Sequence, residues 1–504
     1  MTRTDGASTS AVTAAQASAG SNSQVRRAMP GLLLASFVVA LSATIVANAL
    51  PRILADLGGS QSQYAWVVTS ALLAMTATTP IWSKLADRMS KKLLLQTSLS
   101  FFAAGSVLCG AAPTTEMLLV LRAIEGIGMG GLNALVQIVL AALVSPRERG
   151  RYAGYIMAMV TAATVCGPLL GGLIVDAPLL GWRWCFWTTV PIAVGAMLLL
   201  QRTLRLPTSL TTAKIDWVGA LVIPAAIGVL LAWVTLAGRQ LAWLSWQSTA
   251  FVAATGLLIL VAAIVERRAT DPFLPPALLR RRTMVLGLGA SIMVGGGMMA
   301  ASVFLPQYFQ ISRGHTPTES GLLLLPMMAG VVSGTIISGH LVSRLGRCKR
   351  PLVAGIALFT LGLGLLGTID QATPLELIAG YMIIFGLGLG SSMQNLVIAV
   401  QNELGYHELG AGTSIILSLR SLGGATGLAV LGSVLAAQVA DVTGRTSAAL
   451  DGGPLVEQAY GDATALIFRI AAVSALVAFG AVLLLRDTPL RTTVDGPETR
   501  AATR

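Results

Sequence analysis

The chain has 504 residues, 54% of them hydrophobic and 11% charged, against about a quarter charged in soluble domains, so lipid has to be part of its solvent. The four cysteines, Cys109, Cys166, Cys185 and Cys348, show neither paired nor metal-like spacing and read as packing residues, which excludes a disulfide framework or zinc site. The formal charge of +12 would raise the question of a nucleic-acid partner, but the positions of the charges argue against one.

Residues 1–28 are rich in Ala, Ser and Thr and lack an apolar core segment, which reads as a disordered cytoplasmic tail. The first apolar run, Pro30 to Leu50, is too long for a signal-peptide core and reads as a retained spanning helix. Runs of the same kind follow near 65–82, 93–111, 117–142, 152–176 and 184–201, then near 217–237 and 248–265. Six more lie near 284–309, 320–342, 351–369, 374–400, 410–436 and 464–485, which makes fourteen. With the N-terminus inside, 26 of the 34 basic residues fall in inner loops and tails. Five fall outside (Arg52, Arg183, Arg239, Arg313, Arg445) and three within helices (Arg122, Arg420, Arg469). This is the positive-inside bias; the inner loop holding Glu403 and Glu408 is the exception. The basic excess is therefore topological, both termini are expected inside, and no nucleic-acid partner is implied. Arginine outnumbers lysine 29 to 5, a ratio that fits a GC-rich bacterial genome.

The stretch Ser83-Lys-Leu-Ala-Asp-Arg-Met-Ser-Lys-Lys92 after the second span is echoed by Gly339-His-Leu-Val-Ser-Arg-Leu-Gly-Arg-Cys348 after the tenth. If spans seven and eight are an insertion, the two basic turns hold equivalent places in two six-helix halves, an arrangement of transporters. The expected division is a tail at 1–28, an N-terminal six-helix bundle at 29–203, two inserted helices with a flanking loop at 204–268, a cytoplasmic loop at 269–283, a C-terminal bundle at 284–486 and a tail at 487–504.

Four stretches carry a resemblance. The turn at 83–92 has Leu85, Asp87, Arg88, Lys91 and Lys92 in the pattern G-x-L-a-D-r-x-G-r-k, with serines in place of both glycines. Leu121-Arg122-Ala-Ile-Glu125-Gly126 matches l-x-x-x-R-x-x-q-G with Glu125 for the glutamine. Gly167-Pro168-Leu-Leu-Gly171-Gly172 ends a g-x-x-x-G-P-x-x-G-G pattern in the fifth span, and Leu41-Ser-Ala-Thr-Ile-Val-Ala-Asn48-Ala-Leu-Pro51 is close to L-D-x-T-I-V-N-V-A-L-P with Ser42 for the acid. The chain in these places resembles the major facilitator superfamily, and within it the fourteen-helix drug:proton antiporters of the EmrB/QacA-like branch. The resemblance implies an all-α polytopic membrane protein of major-facilitator fold, with two six-helix bundles, two extra central helices and both termini inside.

It also implies roles. Asp87, Arg88 and Lys91 are expected to latch an inner gate, Asp87 by capping a neighbouring helix N-terminus or pairing with a basic side chain. Gly167, Pro168 and Gly171 are expected to shape a bent, tightly packed helix of the moving bundle. Because a charge inside a spanning helix is costly, Arg122 and Glu125, i,i+3 neighbours, are read as a proton-coupling pair, with a structural ion pair as the alternative. Asn48, Asn133, Gln137, Gln307, Gln394, Asn395 and Arg420 are expected to line a substrate cavity, and Arg469 to snorkel toward an interface. No Walker loop, nucleophile elbow or HExxH occurs, so neither ATP-driven transport nor hydrolysis has support and no cofactor is expected. The implied protein is not an enzyme but a monomeric, proton-driven exporter of small amphipathic compounds, cationic or neutral, in a bacterial cytoplasmic membrane. The alternatives are export of a lipid or endogenous secondary metabolite, or a non-transporting receptor.

Overall fold

A chain in lipid has no water to satisfy its backbone, so apolar runs close their hydrogen bonds as helices. The computed structural model describes residues 5–58, 61–177, 181–204, 206, 217–236, 241, 245–268, 281–315, 317–405, 408–443 and 454–490, and among these it contains helices and no strand. In chain order the helices are α1 (Asp5–Leu57), α2 (Gln61–Arg88), α3 (Lys91–Gly110), α4 (Thr115–Leu143), α5 (Pro146–Asp176), α6 (Trp184–Trp187), α7 (Thr189–Thr203), α8 (Trp217–Leu236) and α9 (Trp246–Arg268). They continue as α10 (Arg282–Gln307), α11 (Pro317–Leu323), α12 (Leu325–Leu345), α13 (Lys349–Leu366), α14 (Leu375–Asn402), α15 (Leu409–Thr443) and α16 (Pro454–Leu483). Among the described residues eleven segments are long and apolar enough to cross a membrane. The other three expected spans coincide with α2, α5 and α8, helices of 28, 31 and 20 residues.

The departures from the sequence reading are at helix ends. Helix α1 starts at Asp5, inside the segment expected as a disordered tail; alanine and glutamine carry high helix propensity, and no proline precedes Pro30 to stop it. Expected span ten is broken at Leu324 into α11 and α12, with Pro326 in the first turn of α12. Expected span nine ends in a π turn, Tyr308–Ser312, directly after Pro306 has removed a backbone donor.

The buried apolar side chains gather on either side of a seam. One cluster draws on residues 284–485, with Ala141 of α4 joining it, and two others lie within residues 25–204. Helices α8 and α9 pack on each other, and α8 also touches α2 and α15, so this pair sits on the flank of the seam. Leu257, Ile259 and Leu260 of α9 are left exposed, as a lipid-facing surface requires. Lipid supplies no hydrophobic drive between helices, so small residues set the closest crossings. At the seam α5 meets α12 at Gly150 and Gly339, where a Cβ on Gly150 would come within 2.5 Å of the Gly339 Cα.

Beyond α16 the chain turns back under the α12–α13 turn. Leu490 N–H donates to Gly346 C=O at 2.8 Å, and Arg347 pairs with Asp487 at 2.9 Å. Gly346 closes α12 with φ 65°, the left-handed conformation that glycine adopts without strain.

Candidate functional site

Asp87 is the penultimate residue of α2 and is almost fully buried. Its Oδ1 accepts the backbone N–H of Gly410 at 2.8 Å. Gly410 is the second residue of α15, where backbone donors have no partner inside the helix and the dipole is positive. The carboxylate thus caps a helix of the other half. A Cβ at Gly410 would overlap the Ser83 carbonyl oxygen, so the approach needs a glycine. Ser90, where the family pattern has glycine, caps α3 by accepting from Leu93 N–H at 3.4 Å. Arg88 and Lys91 are buried beside this contact.

A second bridge lies at the same end of the bundle. Arg149, buried in the first turn of α5, donates from Nε to Val144 C=O at 2.9 Å and from Nη2 to Ala141 C=O at 2.6 Å. It thereby satisfies carbonyls at the C-terminus of α4. Its Nη1 donates to Gln401 Oε1 of α14 at 3.1 Å, and Gln401 Nε2 donates to Thr413 Oγ1 of α15 at 2.9 Å. Neither Arg149 nor Gln401 is singled out by the sequence, because a basic residue in an expected inner loop counts only as a topological charge. The signal is the repeated Glu-x-Gly at the start of two helices, Glu148-Arg-Gly150 and Glu408-Leu-Gly410.

Between the halves lies a cavity of about 500 Å³, lined by α1, α2, α4 and α5 on one side and α10, α12, α14 and α15 on the other. Asn133, Gln137, Gln394 and Arg420 are among its polar lining. Two other residues assigned to it stand elsewhere, a correction of the sequence reading. Gln307 accepts the Tyr460 hydroxyl at 2.6 Å in the α10–α16 contact, and Asn395 is fully buried off the lining, with both amide atoms lacking partners among the described residues. A polar residue type identifies a costly position in a membrane helix but not which face it occupies. The side chains of Asn48 and Pro168 lie outside the described residues.

Arg122 and Glu125 form an enclosed cluster away from the cavity lining. Arg122 Nη1 pairs with Glu125 Oε2 at 2.8 Å, and Nε donates to Val67 C=O at 3.3 Å. Glu125 Oε1 accepts the hydroxyls of Ser42 at 2.8 Å and Ser106 at 2.9 Å. Glu125 is 0% exposed. The hydroxyl standing where the family pattern has an acid is therefore bonded directly to the acid standing where the pattern has glutamine. Gly167 lets α5 press on Thr44 of α1, and Gly171 is buried in the same helix. Arg469 does not snorkel freely; its Nε donates to Gly367 C=O, just past the end of α13, at 2.7 Å.

At the opposite end of the bundle, Trp182 Nε1 donates to Asp56 Oδ2 at 2.7 Å and Arg183 lies 3.4 Å from the same oxygen. The indole hydrogen bond first, and the guanidinium charge after it, hold the Asp56 carboxyl below its ordinary range.

An uncharacterized MFS-type transporter of Mycobacterium tuberculosis is 34% identical over 505 residues, covering 96% of this chain and 73% of the relative. The multidrug transporter protein MdtP of Bacillus subtilis is 33% identical over 419 residues, covering 83% of this chain and 77% of the relative. The structure of the proton:xylose symporter XylE superposes with a TM-score of 0.63 at 15% identity, covering 93% of this chain and 97% of that one. The model of the Major Facilitator Superfamily matches residues 32–428, and the chain belongs to that family of membrane transporters, which are not enzymes.

Proposed function

We propose that the protein exports amphipathic organic compounds from a bacterial cytoplasmic membrane by proton antiport, as a multidrug or antibiotic efflux transporter of the fourteen-helix branch. The observation that carries this reading is the cavity of about 500 Å³ between the two halves. Its size suits a drug-sized ligand, and both hydrogen bonds described across the seam, Asp87 to Gly410 and Arg149 to Gln401, lie at one end of it. Rocking of two bundles about a central site is how duplicated transporters alternate access. In this reading the helices number fourteen, both termini are cytoplasmic, and the clasped end is the inner gate. The bundles at 29–203 and 284–486 then move against each other, with 204–268 as a flanking insertion. The name of the Bacillus subtilis relative, a multidrug transporter, supports export as the direction and drugs as the cargo.

Coupling is assigned to Glu125 and Arg122. The carboxyl is held by Arg122 at 2.8 Å and by the hydroxyls of Ser42 and Ser106. A movement of α1 or α3 that withdraws either hydroxyl changes its hydrogen bonding as the bundle rocks, and proton transfer is assigned to that step. Uptake of a labelled compound into inverted vesicles, with and without a pH gradient, tests the reading. Accumulation that ignores the gradient removes proton antiport, and no accumulation of any amphipathic compound removes export.

A further inference from the structure

The lining of the cavity is unusual in what it combines. Among the described residues that line it seven are methionines, including Met157, Met298, Met328 and Met393, and none is aromatic. Among the described lining residues Arg420 is the one charged side chain, and no carboxylate accompanies it. The Arg420 guanidinium makes no hydrogen bond or ion pair with any described residue, although Arg122, Arg149 and Arg469 are each held by carbonyls or an acid. Polar partners of other kinds are amides and hydroxyls, such as Gln394, Asn133, Gln137 and Thr335.

Organic cations are recognised by carboxylates or by the faces of aromatic rings, and this wall offers neither. A cation entering here would instead meet an unpaired guanidinium in a low-dielectric space. An anion would complete it: guanidinium binds carboxylate, sulfonate or phosphate through paired, charge-assisted hydrogen bonds. The methionines supply a polarizable, unbranched surface that adapts to apolar bodies of differing shape.

We infer that the cavity takes amphipathic organic anions, the acidic head on Arg420 and the apolar body against the methionine wall. This rests on the cavity being the transport site and narrows it, replacing the cationic or neutral cargo expected from the sequence with an acidic one.

The test uses the purified full chain and three matched probes: dansylaminoundecanoic acid, its primary amide and its trimethylammonium counterpart. Binding is read by dansyl fluorescence in chloride and in gluconate buffer. The acid is expected to bind about tenfold or more tighter than the amide, with the ammonium probe weakest. Arg420→Gln is expected to abolish the preference for acid over amide while leaving amide binding in place, and Arg420→Lys to keep part of it. If Arg420→Gln does not fold, the order of the three probes on the unaltered protein still decides. An ammonium probe that binds as tightly as the acid, or an unchanged acid-to-amide ratio in Arg420→Gln, overturns the inference and leaves the export reading standing. A preference that vanishes in chloride makes an inorganic anion the occupant and also overturns it. Failure of all three probes to bind removes both readings.

Discussion

The carboxylate of Asp87 and the backbone N–H of Gly410 lie 323 residues apart in the chain and 2.8 Å apart in space. That single bond places the end of α2 on the start of α15 and ties one bundle to the other.

Asp87→Asn keeps the side-chain volume but removes the charge that faces the helix terminus, a loss of about 1 kcal/mol at this buried contact. Transport is expected to fall about fivefold while melting temperature and expression change little. Gly410→Ala should act in the same direction by steric means, since its Cβ overlaps the Ser83 carbonyl. Distances between spin labels on α2 and α15 should lengthen in both variants. Efflux near the normal level at normal expression would count against a gate at this contact.

The Arg149 clasp makes a different prediction, because its charge is buried. Gln401→Leu removes the acceptor of Nη1 and the partner of Thr413, with an expected loss of about 1–3 kcal/mol in stability. Arg149→Lys should not rescue its own position, since one ammonium cannot reach Val144, Ala141 and Gln401 in the geometry of the guanidinium fork. Thermal unfolding of the two variants, singly and combined, checks whether the effects are less than additive, as a shared bond demands.

Glu125→Gln keeps the shape of the cluster and removes its titrating group. Export is expected to lose its dependence on the pH gradient while substrate binding survives. The family pattern carries glutamine at this position, so the opposite result has a clear meaning. Wild-type, gradient-driven efflux by Glu125→Gln would leave the residue as the counter-ion of Arg122 and nothing more.

The Asp56–Trp182 contact should respond to acid. Because the folded carboxyl titrates below its unfolded value of about 3.9, the contact contributes stability above that pH and loses it as the pH falls through the lower folded value. Hydrogen-exchange protection of segment 181–187, referred to intrinsic exchange rates, should therefore fall in the wild-type protein as the pH drops below the unfolded carboxyl value. In Asp56→Asn it should show no such acid-dependent step.

Topology is tested with single cysteines at Ser8 and Thr499 in a background lacking the four native thiols. Both are expected to resist a membrane-impermeant reagent in intact cells and to label in inverted vesicles; labelling of either from outside would reverse the assignment of the clasped end as inner.

What could be read from the chain alone follows from how lipid acts on residues one at a time. Each apolar run has to close its own backbone hydrogen bonds, so the helices and their order were legible. The likeness of 83–92 to 339–348 pointed to two related halves. Arg122 with Glu125 was legible as a pair because i,i+3 spacing needs only one helix. Facing between helices was not. Gln394 and Asn395 are neighbours of similar polarity, yet one lines the cavity and the other is buried off it, because successive residues of a helix point about 100° apart. The partner of Asp87, the chain of contacts from Arg149 to Thr413, and the hydroxyl of Ser42 on Glu125 all join segments distant in sequence. Only the packing of one helix against another decides such contacts. The setting of Arg420 is a property of the same kind: a lone arginine in the sequence is an ordinary event, whereas a guanidinium facing a methionine wall, with no acid among the described lining residues, exists only once eight helices have closed around it.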